Sequence, residues 1–88
     1  MIARALTGNG KVQGVFYRDW TVANARELGL GGWVRNEADG TVAAWLEGET
    51  ETVAAMIERM RSGPPAARVE RIDEREAEPE GLTGFSRR

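Results

Sequence analysis

The stretch "GWVRNEADGTVAAWLEG", residues 32–48, decides the fold. Two arms rich in Trp, Val and Thr flank Asp39-Gly40. An Asp-Gly pair between such arms is a strong hairpin signal, because the tight turn that matches strand twist needs residues tolerant of positive φ. Gly48 ends the second arm. By the two-residue period of a strand Val34 and Asn36 share a side, so whichever face takes Val34 also takes Asn36. Trp33 and Trp45 lie on the arms as packing residues or as a cross-strand pair.

The flanking segments complete a pattern. Downstream, Thr50 reads as an N-cap with Glu51 in the first turn to complement the helix dipole. Val53, Met56, Ile57 and Met60 then recur at the helical spacing, until Gly63-Pro64 stops the helix. Upstream, Val22, Ala25 and Leu28 predict a helix over about residues 18–29, with Gly29 placed for a left-handed C-cap. The segment "MIARALTG", residues 1–8, bounded by Gly8 and Gly10, reads as a strand, although Arg4 shares a side with Ile2 and Leu6. "ARVERIDER", residues 67–75, reads as a strand near an edge whose alternation breaks between Val69 and Ile72, and "LTGFSRR", residues 82–88, can add a short last strand.

The order β-α-β-β-α-β predicts an α+β fold, a ferredoxin-like sandwich in a single domain over residues 1–88. Its sheet is mostly antiparallel, with four to five strands and both helices on one face. The right-handed crossover makes the first two strands parallel, so the loop after strand one and Asn36 at the end of strand two meet at one edge of the sheet.

Composition narrows the chemistry. The 88 residues include no His and no Cys, which removes imidazole bases, thiolate nucleophiles, disulfides and His- or Cys-based metal centres. Twelve basic residues against 14 acidic ones leave a net charge of -2, and the cations are dispersed rather than gathered into a stripe, so nucleic acid is not expected as a partner. Much of the acid sits in "VERIDEREAEPEG", residues 69–81, where Asp73, Glu74 and Glu76 read as a solvated face. No apolar run approaches the roughly 20 residues that span a bilayer, so we expect a cytoplasmic protein with no membrane partner.

The loop "GKVQGVFYR", residues 10–18, is the candidate site. A loop entering a helix leaves backbone N–H groups without intrahelical partners where the dipole favours negative charge. Gly14 lets the backbone pass close to a ligand, Val12, Val15 and Phe16 can anchor the far side in the core, and Arg18 offers a fork for two oxyanion oxygens. The same stretch is also compatible with an ordinary strand-to-helix turn carrying a solvated arginine. It is not a Walker loop, since the G-x-x-x-x-G-K-[ST] spacing is missing. Asn36 is either a turn former or an amide that holds a water at the loop's edge, and it cannot act as a general base. Trp20 either covers the first helix or lines the mouth of the site.

Taken together, "GKVQGVFYR", "ARELGLGGWVRNEADGTVAAWLEG" and "SGPPAARVERI" resemble the acylphosphatase family over nearly the whole chain. The resemblance implies a ferredoxin-like enzyme that hydrolyses the carboxyl-phosphate bond of small acyl phosphates without metal or cofactor; we expect a small-molecule acyl phosphate as its partner and the chain as a monomer. It also implies that Arg18 is the catalytic phosphate-binding arginine, that Asn36 positions the water, and that Gly14, Val15, Phe16, Tyr17 and Arg18 form the phosphate cradle. Tyr17 stands where Phe usually precedes the arginine, Lys11 replaces a frequent Arg, and the approach "TGNGK" differs from the usual strand end; both catalytic positions are intact. The alternative is a noncatalytic ferredoxin-like module that binds an anion or a partner.

Overall fold

A computed structural model describes residues 1–88. Its elements run β1 (Ile2–Lys11), α1 (Tyr17–Glu27), β2 (Gly31–Asn36), β3 (Val42–Gly48), α2 (Thr50–Ser62), β4 (Arg68–Ala77) and β5 (Phe85–Arg87). The five strands lie in the order β4-β1-β3-β2-β5. All neighbours are antiparallel except β2 and β5, which pair in parallel. This is the ferredoxin-like α+β sandwich expected from the element order, with a fifth strand added beside β2.

The core lies between one face of the sheet and the two helices. Leu6, Val34, Val42, Ala44 and Leu46 from the strands meet Val22 and Ala25 of α1 and Val53, Met56, Ile57 and Met60 of α2. Val34 is fully buried, so Trp33 and its register partner Trp45 occupy the outer face. Trp20 is partly buried against the core, its ring 5.6 Å from that of Tyr17. No helix is long and apolar enough to cross a membrane.

Three boundaries differ from the sequence reading. β1 does not stop at Gly8 but runs to Lys11, and its pairing with β4 shifts between Asn9 and Gly10. There Gly10 opposes Val69 while Asn9 opposes Arg71, so Glu70 is an extra residue on β4. Such a bulge moves the following side chains to the opposite face. That is why Val69 and Ile72, three positions apart, both reach the core, and why the alternation looked broken. Only glycine fits at position 10, where φ is 122° and a Cβ would lie 2.2 Å from the Arg68 carbonyl oxygen.

The second difference is at α2, where Glu49 is the N-cap and Thr50 is the first helical residue; neither helix has a side-chain cap bond. The third is at α1, which starts at Tyr17 and ends at Glu27. Its C-terminus closes with Gly29 at φ 71° and the Leu30 N–H on the Ala25 carbonyl at 2.9 Å.

Candidate active site

The right-handed crossover from β1 through α1 to β2 brings the segment after β1 beside the end of β2. Gln13 joins the two: its side-chain amide donates to the carbonyls of Glu37 and Thr41, each at 2.8 Å, on the hairpin turn that follows Asn36. At the other end of the loop the Tyr17 hydroxyl donates to the Met60 carbonyl at 2.7 Å. Burial pushes the Tyr17 phenol well above its ordinary pKa, so it stays a donor, and the loop is pinned to α2 as well as to the hairpin.

Between these anchors the chain reverses hand twice. Gly14 has φ 72°, and Phe16 has φ 64° and ψ 20°. The left-handed conformation costs a residue with a Cβ about 1–2 kcal/mol. A left-handed residue followed by a right-handed one turns successive N–H groups into one concavity, a nest for anions. Phe16 followed by the first residue of α1 is such a pair. None of the N–H groups from Gln13 to Asp19 meets an acceptor in the protein; the first helical bond runs from the Trp20 N–H to the Phe16 carbonyl at 3.0 Å.

A cavity of about 240 Å³ opens over these amides. Gly14, Phe16, Arg18, Asp19, Asn36 and Arg87 line it, with Val12 and Tyr17 buried beneath. Arg18 is half-buried, at the positive end of α1. Across from it the Asn36 side-chain oxygen is buried and meets no protein donor. A buried carbonyl oxygen without a partner costs about 1–3 kcal/mol, and at the cavity wall this one is free to accept from a ligand or water.

The structure therefore brings Gly14, Phe16, Tyr17, Arg18 and Asn36 around one cavity, as the sequence led us to expect. Val15 is not among its walls: it turns into the core, 6% exposed, and reaches the site only through its backbone. Phe16 corrects the expectation that its side chain anchors the loop in the core. The left-handed turn swings it outward, and it is 78% exposed. Trp20 lies on the helix side and does not reach the mouth.

Two charged residues were missed. Asp19 extends the first turn of α1, and Arg87 comes from β5, whose pairing with β2 carries it to the cavity. They meet at 2.6 Å. An edge strand of three residues gives a sequence little periodicity to read, so nothing local announced Arg87.

A family model described as acylphosphatase matches residues 5–87. The chain belongs to the acylphosphatase family. It is 49% identical over 88 residues to an acylphosphatase of Acidiphilium cryptum, covering 100% of this chain and 97% of the relative. It is 58% identical over 69 residues to an acylphosphatase of Mesorhizobium japonicum, 78% of this chain and 73% of that one. Among solved structures, the acylphosphatase from Bacillus subtilis superposes with a TM-score of 0.95 at 32% identity, covering 98% of this chain and 97% of that one. These similarities make the protein an enzyme of that family.

Proposed function

We propose that the protein hydrolyses acyl phosphates in the cavity between the Gly14–Arg18 loop and Asn36, releasing a carboxylate and inorganic phosphate. The observation that carries the reading is the row of backbone N–H groups from Gln13 to Asp19 that lack protein acceptors, set beside the Arg18 guanidinium at the start of α1. A phosphoryl group satisfies those donors, and the guanidinium grips two of its oxygens.

In this mechanism the acyl phosphate seats its phosphoryl oxygens against the amides of the loop and Arg18. Asn36 accepts a hydrogen bond from a water on its orphaned side-chain oxygen and holds it in line with the bond to be broken. The water oxygen attacks phosphorus, the bond from phosphorus to the acyl oxygen breaks, and the electron pair leaves with the carboxylate. The proton lost by the water passes to a phosphoryl oxygen, giving dihydrogen phosphate. A carboxylate is a good leaving group, so the step needs neither a nucleophilic side chain nor a strong protein acid. The catalytic contribution is position and charge complementarity. That fits a chain with no His and no Cys.

The same reading makes the substrate a small molecule and the protein a monomer. The outer edge strand β4 carries Glu70 and Arg71 before Ile72 and Asp73, Glu74, Arg75 and Glu76 after it, and charges of this density oppose pairing with a second sheet.

The test is hydrolysis of benzoyl phosphate with excess chelator by the wild type and Asn36→Ala. We expect rapid turnover that the chelator leaves unaltered, and a loss of roughly 10²–10³ in kcat in the variant, far larger than its change in affinity for inorganic phosphate. A folded wild type that binds phosphate yet turns over no acyl phosphate would make the cavity an anion-binding site instead.

A further inference from the structure

Phe16 stands apart from its neighbours in the loop. Val12, Val15 and Tyr17 are 1%, 6% and 1% exposed, whereas Phe16 is 78% exposed. It is also the only residue other than glycine with positive φ. Both features are unfavourable for a phenyl side chain: the backbone region disfavours a bulky residue, and the ring forgoes burial. Glycine or asparagine would make the same left-handed turn at lower cost and leave the N–H groups aimed as they are. The side chain does not cap the helix either. The turn thus explains the backbone at this position but not the ring.

The ring's position supplies the explanation. It lines the cavity that Arg18 and Asn36 share, and with Val12 and Tyr17 buried beneath, it is the one large apolar surface the cavity presents. An acyl phosphate has two unlike ends. Amides, guanidinium and carboxamide suit the phosphoryl end, and nothing polar in the cavity suits a hydrocarbon acyl group. We propose that Phe16 is the specificity-determining residue for the acyl group, its exposed ring receiving an apolar, above all planar aromatic, acyl moiety by offset or edge-to-face contact while the loop holds the phosphoryl end. This inference rests on the acyl-phosphatase reading of the cavity. An aromatic side chain has only two torsions to immobilise, so it loses little entropy on binding, which favours recognition by stacking.

The experiment compares kcat/KM for benzoyl phosphate and acetyl phosphate in the wild type, Phe16→Asn and Phe16→Tyr. Asparagine tolerates the left-handed backbone, so Phe16→Asn folds at least as well as the wild type. We expect its benzoyl-to-acetyl ratio of kcat/KM to fall about tenfold, carried by KM for benzoyl phosphate, while Phe16→Tyr, which keeps the ring, retains the wild-type ratio. An unchanged ratio in Phe16→Asn, even with both rates reduced together, would overturn the proposal and leave the ring a part of loop shape. A folded wild type that hydrolyses neither substrate is a different result: it removes the hydrolytic reading and this inference with it.

Discussion

The Gln13 side-chain amide reaches the Thr41 carbonyl at 2.8 Å, and its second hydrogen reaches Glu37 at the same distance. One side chain thus sets the loop after β1 against the turn after β2, and so sets Arg18 relative to Asn36. Misplacement of reacting groups by about 1 Å costs on the order of 10²-fold in rate. We expect Gln13→Ala to lower kcat by about one to two orders of magnitude while lowering stability by only about 1–2 kcal/mol, the scale of two lost hydrogen bonds at a partly exposed site. Urea unfolding beside benzoyl phosphate kinetics separates the two effects. Full activity in the variant would show that the loop holds its place without this tie.

Arg18 makes no hydrogen bond or ion pair with the protein, in contrast to Arg59, which is held by both Asn24 and Glu27. Its removal therefore costs the fold little, and its effect should appear in catalysis. Where an arginine supplies charge to a transferring phosphoryl group, its loss costs roughly 10³–10⁵ in rate. Arg18→Ala should keep the wild-type melting temperature and lose activity on that scale. Arg18→Lys should recover only a small part, because an ammonium cannot make the two parallel bonds of a guanidinium. More than a tenth of wild-type activity in Arg18→Ala would remove the residue from the mechanism.

Hairpin and second helix were legible because their signals are local: Asp39-Gly40 lies between two strand-like arms, and Val53, Met56, Ile57 and Met60 keep one period throughout. Other features depended on partners far along the chain. The extent of β1 was hidden because Gly8 and Gly10 read as punctuation. Their role appears only when β4 is laid beside them and Glu70 bulges out. The lining of the site divides in the same way. Arg18 and Asn36 follow from topology and period, while Arg87 depends on where a three-residue strand docks. The direction of Phe16 depends on a single backbone angle that no hydrophobic pattern encodes.

Arg87 and Asp19 meet at 2.6 Å with their side chains 48% and 60% exposed. A pair this open contributes about 0–1 kcal/mol to stability, so the tie between β5 and α1 is weak as a fastening. Its second position, in the wall of the cavity, matters more, since it adds a cation beside Arg18. We expect Arg87→Gln to raise KM for acyl phosphates several-fold at low ionic strength and to leave the melting temperature nearly unchanged. The difference from wild type should shrink as salt is added, because a screened charge attracts less. A KM that rises equally at every salt concentration would point to a lost contact rather than a lost field.

Glu47 is the buried carboxylate of the molecule, 2% exposed. Its oxygens accept from the Trp45 indole at 2.7 Å and from the N–H groups of Glu80, Gly81 and Leu82 at 2.9, 3.0 and 3.2 Å, fastening the segment before β5 to β3. Desolvation favours the protonated acid, but the N–H groups of Glu80, Trp45, Gly81 and Leu82 together outweigh it, and the pKa is held below the usual carboxylate range. A folded pKa below the unfolded value near 4.5 means that the ionised group contributes its stability fully above that pH. The contribution is lost as pH falls through the folded pKa. Glu47→Gln keeps the shape but sets an NH₂ group against N–H donors, so we expect about 2–4 kcal/mol of destabilisation at pH 7. Because wild-type Glu47 becomes neutral in acid, the gap between the two proteins should narrow as urea unfolding is repeated from pH 6 down to pH 3. A gap that stays constant across that range would mean that the carboxylate charge contributes nothing to the fastening.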